Sequence, residues 1–200
     1  GMTSADGRIE VCDGPPRALA RRLLDAGMAN PRPMHGPSTD DVTIVVPVRD
    51  NQSGVDRLLS ATQGVKTIVV DDGSSTPIVA NGPQVRVLRF EQNRGPAAAR
   101  NAGAAAADTE FVAFLDSDVV PNSDWLMMLL GHFSDPLVAI AAPRIVGLAR
   151  DAEQPDDHKR SLAERYENGH SSLDMGPSEA GVVPVSYTHL TLPTKRKVKM

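Results

Sequence analysis

Four short apolar runs punctuate the middle of the chain: VTIVVPV (42–48), KTIVV (66–70), QVRVLRF (84–90) and EFVAFL (110–115). Segments with helical spacing lie between three of these runs or follow them. Strands that alternate with helices have one common solution, a parallel sheet covered on its faces, because parallel neighbours need a long crossover between them. VTIVVPV carries no polar alternation, as expected of a strand buried on both sides. SGVDRLLSAT then offers Ser53 as an N-cap, with Val55, Leu58, Leu59 and Thr62 at helical spacing. GPAAARNAGAAAA (95–107) reads as a helix opened by Pro96. NSDWLMMLLGHF reads as another, with Trp125, Met128, Leu129 and His132 on one side, and PLVAIAAP supplies a fifth strand around 137–142. The expected class is α/β, a mostly parallel sheet flanked by helices.

The flanks differ from this core. GPPRALARRLLDAG predicts a helix with Pro15 or Pro16 in its first turn, Leu19, Leu23 and Leu24 on one face, and Gly27 as its stop. NPRPMHGPST is too rich in proline for a helix or a central strand, so residues 30–39 read as a linker and the main domain starts near Asp40. DAEQPDDHKRSLAERYENG is polar with one short helical stretch, and THLTLPTKRKVKM shows no clear period.

Composition narrows the function classes. With 40% hydrophobic and 23% charged residues the chain has the balance of a soluble globular protein, and no apolar run approaches the roughly 18 residues of a membrane span. A formal charge of −4, with its basic residues concentrated only in TKRKVKM, argues against a nucleic-acid partner. Cys12 has no partner for an intrachain disulfide, and His35, His132, His158, His170 and His189 lack zinc spacing. With no charged-then-apolar leader after the opening Gly-Met, the expected location is cytoplasmic.

The chemistry gathers at strand ends. Ligands of an open parallel sheet bind beyond the carboxyl ends of its strands, and three such ends here are polar: Pro47-Val48-Arg49-Asp50, Asp71-Asp72-Gly73-Ser74-Ser75 and Asp116-Ser117-Asp118. Two carboxylates spaced i and i+2 past a strand suit a hard cation such as Mg²⁺ or Mn²⁺, which shares its coordination with phosphate oxygens. A lone Asp-x-Asp is more often a solvated turn. The apolar strand before it and the second acidic pair shift the balance, since repeated acid costs repulsion unless a cation or polar ligand offsets it. Asp71-Asp72-Gly73-Ser74-Ser75 is equally a turn or an acceptor for a base imide or ribose hydroxyl. Arg100 lies one turn inside the Gly95-Pro96 helix, where amides and a guanidinium together suit a phosphate or a base.

In this order VVPVRD, VVDDGSS, NRGPAAARNAG and FLDSDVVP resemble the family 2 glycosyltransferases of GT-A (Rossmann-like) fold, over residues 42–147. RALARRLLDAGMANPRP, RYENGHSSLDMGP and VVPVSY resemble the group of that family associated with mycofactocin biosynthesis. The resemblance implies a nucleotide-binding half in which Pro47, Arg49 and Asp50 lie along the nucleotide, Asp71 or Asp72 recognises uracil, and Arg100 flanks the base or the phosphates. Asp116 approaches the ribose or the metal, and Asp118 ligates the metal, Mg²⁺ or Mn²⁺. The implied reaction is inverting transfer from a UDP-sugar, UDP-glucose in the mycofactocin group, to an acceptor hydroxyl, there on a mycofactocin precursor.

The same resemblance divides the chain into an N-terminal helix and linker (1–39), a nucleotide-sugar-binding domain (40–150), the start of an acceptor region (151–187) and a tail (188–200). SYTHLTLPTKRKVKM resembles translated adapter or vector sequence, so the tail is expected to be non-native and the general base to lie in a C-terminal half missing here. A second reading follows, a fragment that holds UDP or UDP-sugar without turning it over. Self-association through an apolar sheet edge is a further expectation, and membrane association of the full-length protein is left open. A dehalogenase-type phosphatase would carry Asp-x-Asp on its first strand, and a nicotinamide dehydrogenase would carry Gly-x-Gly-x-x-Gly there; PVRDNQSG has neither. A nucleotidyltransferase lacks support for want of a Gly-rich phosphate loop after the first strand.

Overall fold

The computed structural model describes residues 15–26 and 36–143. The chain divides into two compact units; residues 15–26 and 142–143 belong to the first and 36–141 to the second. In the first, α1 (Pro15–Asp25) forms where the sequence predicts it, with Leu23 and Leu24 half-buried but Leu19 61% exposed. Gly27, most of the linker, and everything after Pro143 lie outside the described residues.

The second unit opens with a 3-10 turn, Thr39–Asp41, capped by the Ser38 hydroxyl, and runs β1 (Val42–Val48), α2 (Gln52–Ala61), β2 (Lys66–Asp72), β3 (Val85–Phe90), α3 (Pro96–Ala106), β4 (Phe111–Phe114) and α4 (Trp125–His132). All four strands are parallel, in the order β3-β2-β1-β4. The expected α/β sheet is present, and the direction of the chain reverses between β3 and β4, on either side of β1. That reversal opens a crevice at the carboxyl ends of β1 and β4.

Alternate side chains of the strands build two layers. Ile44, Val46, Val48 and Val69 face α2 through Val55 and Leu58. Val45, Ile68 and Val70 face α3 through Ala99 and Ala107. Each of these fully buried Val, Ile or Leu side chains contributes about 1.5–3 kcal/mol of transfer free energy, which is why every residue of β1 is buried. The alanines of α3 allow close approach, and at Gly103 a Cβ would stand 2.3 Å from Val45 Cγ1, so the helix lies nearly on the sheet. A third cluster, Val42, Leu126 and Leu130 with Phe111 and Phe133, seats α4 at the other end of the strands.

Three sequence expectations change. The N-cap of α2 is Asn51, whose side chain accepts from Gly54 N at 3.1 Å; Ser53 lies inside the helix. On α4 the buried side chains are Leu126 and Leu130, whereas Met128 is 62% exposed, because the face is set by what the helix meets near Val42. The expected strand at 137–142 is absent. Asp135 O and Oδ1 accept from Val138 N and Leu137 N, the chain turns, and Leu137 and Ile140 stay about 70% exposed. A strand needs a neighbour to complete its hydrogen bonds, and no described segment beside residues 137–142 offers one.

Candidate active site

Three loops at the carboxyl edge of the sheet are tied together by side-chain to backbone bonds. After β1, Asp50 adopts φ +52°, a conformation uncommon for a non-glycine residue. Its amide donates to Ser74 Oγ at 2.9 Å and its Oδ1 accepts from Ser75 N at 2.7 Å, so the loop after β2 holds it in that shape. Arg49 is half-exposed and pairs loosely with Asp50 at 3.6 Å. Asn51 reaches the other way: its Nδ2 donates to Ser117 Oγ at 3.1 Å, in the middle of the Asp116-Ser117-Asp118 turn.

The acidic pair after β2 divides its labour. Asp71 is 0% exposed; its oxygens accept from Ser74 N (2.9 Å) and Ile78 N (3.1 Å) and from the Arg89 guanidinium, which also donates to Ser74 O. Burial alone would raise the Asp71 pKa. The hydrogen bonds from Ser74, Ile78 and Arg89 together outweigh burial and hold the carboxyl below its ordinary 3.8. Asp71 therefore organises the loop through these internal bonds. Asp72, 5% exposed, accepts from Arg94 N at 2.7 Å and Gly95 N at 2.9 Å, which fastens β2 to the amino end of α3. Gly73 between these bonds has φ +70°, and a Cβ there would stand 2.6 Å from Asn93 N, so both conformation and space require glycine.

The stabilising effect of Asp71 has a definite pH sign. Its folded pKa is lower than its unfolded one, so its contribution is fully present above the ordinary carboxylate range and is lost as pH falls from about 3.8 through the folded value. Asp71→Asn is expected to flatten the acid limb of a stability against pH curve below the ordinary carboxylate value of 3.8, measured by denaturant unfolding. An unchanged acid limb would contradict this role.

Arg100 and Asp116 meet across the crevice. The Arg100 side chain is only 8% exposed and its Nη2 donates to Asp116 Oδ1, while Asp116 stays 45% exposed. Arg100 thus stands behind Asp116 and bears on the crevice through it, not as a free cation at its mouth. Asp118, within the turn closed by Val119 N on Asp116 O, is exposed. Pro47, one of the residues expected along the nucleotide, is buried in β1 opposite Val70. Proline is tolerated in this central strand because Val45 O already accepts from Leu115 N where β4 ends, and Pro47, two residues on, turns its nitrogen to that same vacated side.

No three His, Cys, Asp or Glu side chains gather around one point among the described residues. Asp116 and Asp118 fit a hard cation that completes its shell with ligand oxygens and water, in the manner of Mg²⁺ at phosphate sites, and do not fit a cation held by protein alone. A broad groove of about 1120 Å³ lies elsewhere, lined by Leu59, Ile78, Val79 and Val85 beside the 76–84 connection; it shares Asp50 with the crevice. Sequence reasoning missed Asn51, Ser74, Arg89 and Ser117. Their partners are up to 66 residues away, so no local spacing marks them. No helix among the described residues is long and apolar enough to cross a membrane.

An open parallel sheet with polar loops at the carboxyl ends of its strands places the chain among α/β domains of the kind whose ligands bind beyond those strand ends. Residues 43–189 match the family described as Glycosyl transferase family 2, and the chain belongs to that family. It is 52% identical over 190 residues to the pre-mycofactocin glycosyltransferase of Mycobacterium tuberculosis (strain ATCC 25618 / H37Rv), covering 91% of this chain and 39% of that protein. It is 36% identical over 110 residues to the succinoglycan biosynthesis protein ExoO of Rhizobium meliloti (strain 1021), covering 48% of this chain and 32% of that protein. The chain thus spans about two fifths of the first relative. Among solved structures it is similar to the mannosyltransferase PcManGT from Pyrobaculum calidifontis in complex with GDP-Man and Mn2+, at 21% identity and TM-score 0.46, over 60% of this chain and 41% of that one. It is also similar to S. aureus TarS 1-349 in complex with UDP-GlcNAc, at 25% identity and TM-score 0.38, over 43% of this chain and 29% of that one.

Proposed function

We propose that this chain is the donor-binding part of an inverting glycosyltransferase that takes a UDP-sugar, UDP-glucose foremost, and serves transfer to a hydroxyl of a mycofactocin precursor. The observation that carries the reading is the joining of the β1, β2 and β4 loops into one crevice with Asp118 exposed in it. The 52% identity over 91% of the chain supports the choice of acceptor group.

In this reading residues 40–150 form the donor domain, residues 1–39 precede it as helix and linker, residues 151–187 begin the acceptor region, and residues 188–200 are a non-native tail. Asp118 and the free oxygen of Asp116 hold Mg²⁺ or Mn²⁺ on the diphosphate. Bound there, the cation offsets charge developing on the departing UDP. Arg100 fixes Asp116 in one rotamer and spreads its charge, so that the carboxylate presents its outer oxygen to the crevice. Asp72 retains lone pairs after accepting two amides, and of the two acidic residues that end β2 it is the less fully buried, at 5% against 0% exposed, and takes the uracil imide in this reading. Arg49 and Asp50 line the nucleotide at the β1 edge. The general base for the acceptor hydroxyl is assigned to the C-terminal part of the full-length protein.

Donor choice is testable on the chain as it stands. UDP and UDP-glucose are expected to compete for one Mn²⁺-dependent site, with GDP-mannose at least roughly tenfold weaker, because two-ring guanine carries its N–H edge farther from the ribose than uracil carries the imide that Asp72 accepts from. Equal affinity for GDP-mannose in a competition titration would count against the uracil reading.

A further inference from the structure

Asn51 stands at the hinge of two jobs. Its Oδ1 accepts from Gly54 N at 3.1 Å, which caps α2, and the same amide donates from Nδ2 to Ser117 Oγ at 3.1 Å. The two bonds fix the amide's orientation, since only oxygen accepts and only nitrogen donates. The turn that carries Asp118 is therefore attached to the first turn of α2, whose Val55 and Leu58 are fully buried in the core.

A second observation concerns space. A Cβ at Gly54 would stand 2.3 Å from Ser117 O and 2.3 Å from Asn51 Nδ2, so glycine is required for the helix start and the acidic turn to come this close. Gly54 is buried and its φ is unremarkable; the requirement is steric. The contact spans 66 residues of sequence and joins the loops of β1 and β4 directly.

From this we infer that Asn51 is a positioning residue for the metal and diphosphate site: through Ser117 it sets where Asp118 is presented. The inference rests on the donor-site reading above and adds to it a residue outside the acidic motif. Asn51 touches neither metal nor nucleotide; it acts through the Ser117 hydroxyl. If the turn is free to shift, Asp118 has to be ordered when the metal binds, and the cost falls on the metal-dependent part of affinity alone.

The test separates capping from positioning. Asn51→Ser retains a good N-cap but is too short to hold Ser117, and Ser117→Ala removes the acceptor hydroxyl. UDP is titrated into each 200-residue variant chain and into the double variant, with Mn²⁺ and with EDTA. The expected result is that Asn51→Ser weakens Mn²⁺-dependent UDP binding roughly three- to tenfold and leaves binding in EDTA unchanged. Ser117→Ala, which leaves Asn51 Nδ2 its longer 3.5 Å contact to Ser117 O, is expected to lose a smaller factor, and the double variant to lose no more than Asn51→Ser alone, because Asn51→Ser already removes both contacts. Hydrogen exchange at residues 115–121 should quicken in Asn51→Ser while exchange within α2 does not. Additive losses, or equal loss with Mn²⁺ and EDTA, or unchanged exchange in the 115–121 segment, would overturn the inference while leaving the donor site standing. A folded wild-type chain that binds no UDP would overturn the donor-site reading and this inference with it.

Discussion

Asp118→Ala is expected to weaken UDP binding in the presence of Mn²⁺ by at least ~100-fold, and to leave binding in EDTA as it is in the wild type. The asymmetry follows from position. Asp118 is exposed at the end of a turn whose backbone is closed by Val119 N on Asp116 O, so its carboxylate contributes little to folding. A substitution at such a site changes stability by about 0.5 kcal/mol or less, and the thermal midpoint of the variant should stay within about 2 °C of the wild type. Asp116 cannot compensate, because one of its oxygens is occupied by Arg100. If Asp118→Ala bound UDP with Mn²⁺ as tightly as the wild type, the cation would have to be held elsewhere.

Asp71→Ala should do the opposite, lowering stability by about 3 kcal/mol, or roughly 10 °C in thermal midpoint. Asp71 is fully buried and receives hydrogen bonds from two amides and the Arg89 guanidinium. Truncation leaves Ser74 N and Ile78 N without their acceptor in a site that excludes water, and removes the anion opposite Arg89. The Arg89 side chain is one third exposed, so water takes up part of its charge and the loss stays short of that for a fully buried pair. Since Ser74 holds Asp50, the damage should spread to the mouth of the crevice and weaken UDP binding as well. A thermal midpoint within about 2 °C of wild type would show that Asp71 does not organise the loop.

These two aspartates show what a sequence can convey here. Both lie just past apolar strands in similar acidic loops, and residue type and spacing treat them alike. What separates them is Arg89, on a strand 18 residues later, which turns toward Asp71 and makes it internal. The strands themselves were legible, because β-branched runs such as VTIVVPV need burial on both faces, and α2 and α3 followed from periodicity and from Pro96. The face of α4 was not, since WLMMLLGH is apolar nearly all round and only the contact with Val42 and Phe111 selects Leu126 and Leu130. Ser53 was a reasonable cap by type. Asn51 holds the position because its amide also has Ser117 to reach. Pro47 was placed inside the first strand by VTIVVPV, and the structure keeps it there because β4 ends first.

The central claim is that the crevice binds a nucleoside diphosphate through a divalent cation. Calorimetric titration of UDP into the wild-type chain, once with Mn²⁺ and once with EDTA, tests it most directly. The account predicts saturable binding at one site with Mn²⁺ and at least roughly 100-fold weaker binding with EDTA. A protein that unfolds cooperatively on heating, yet takes up no UDP in either buffer or takes it up equally in both, would contradict it.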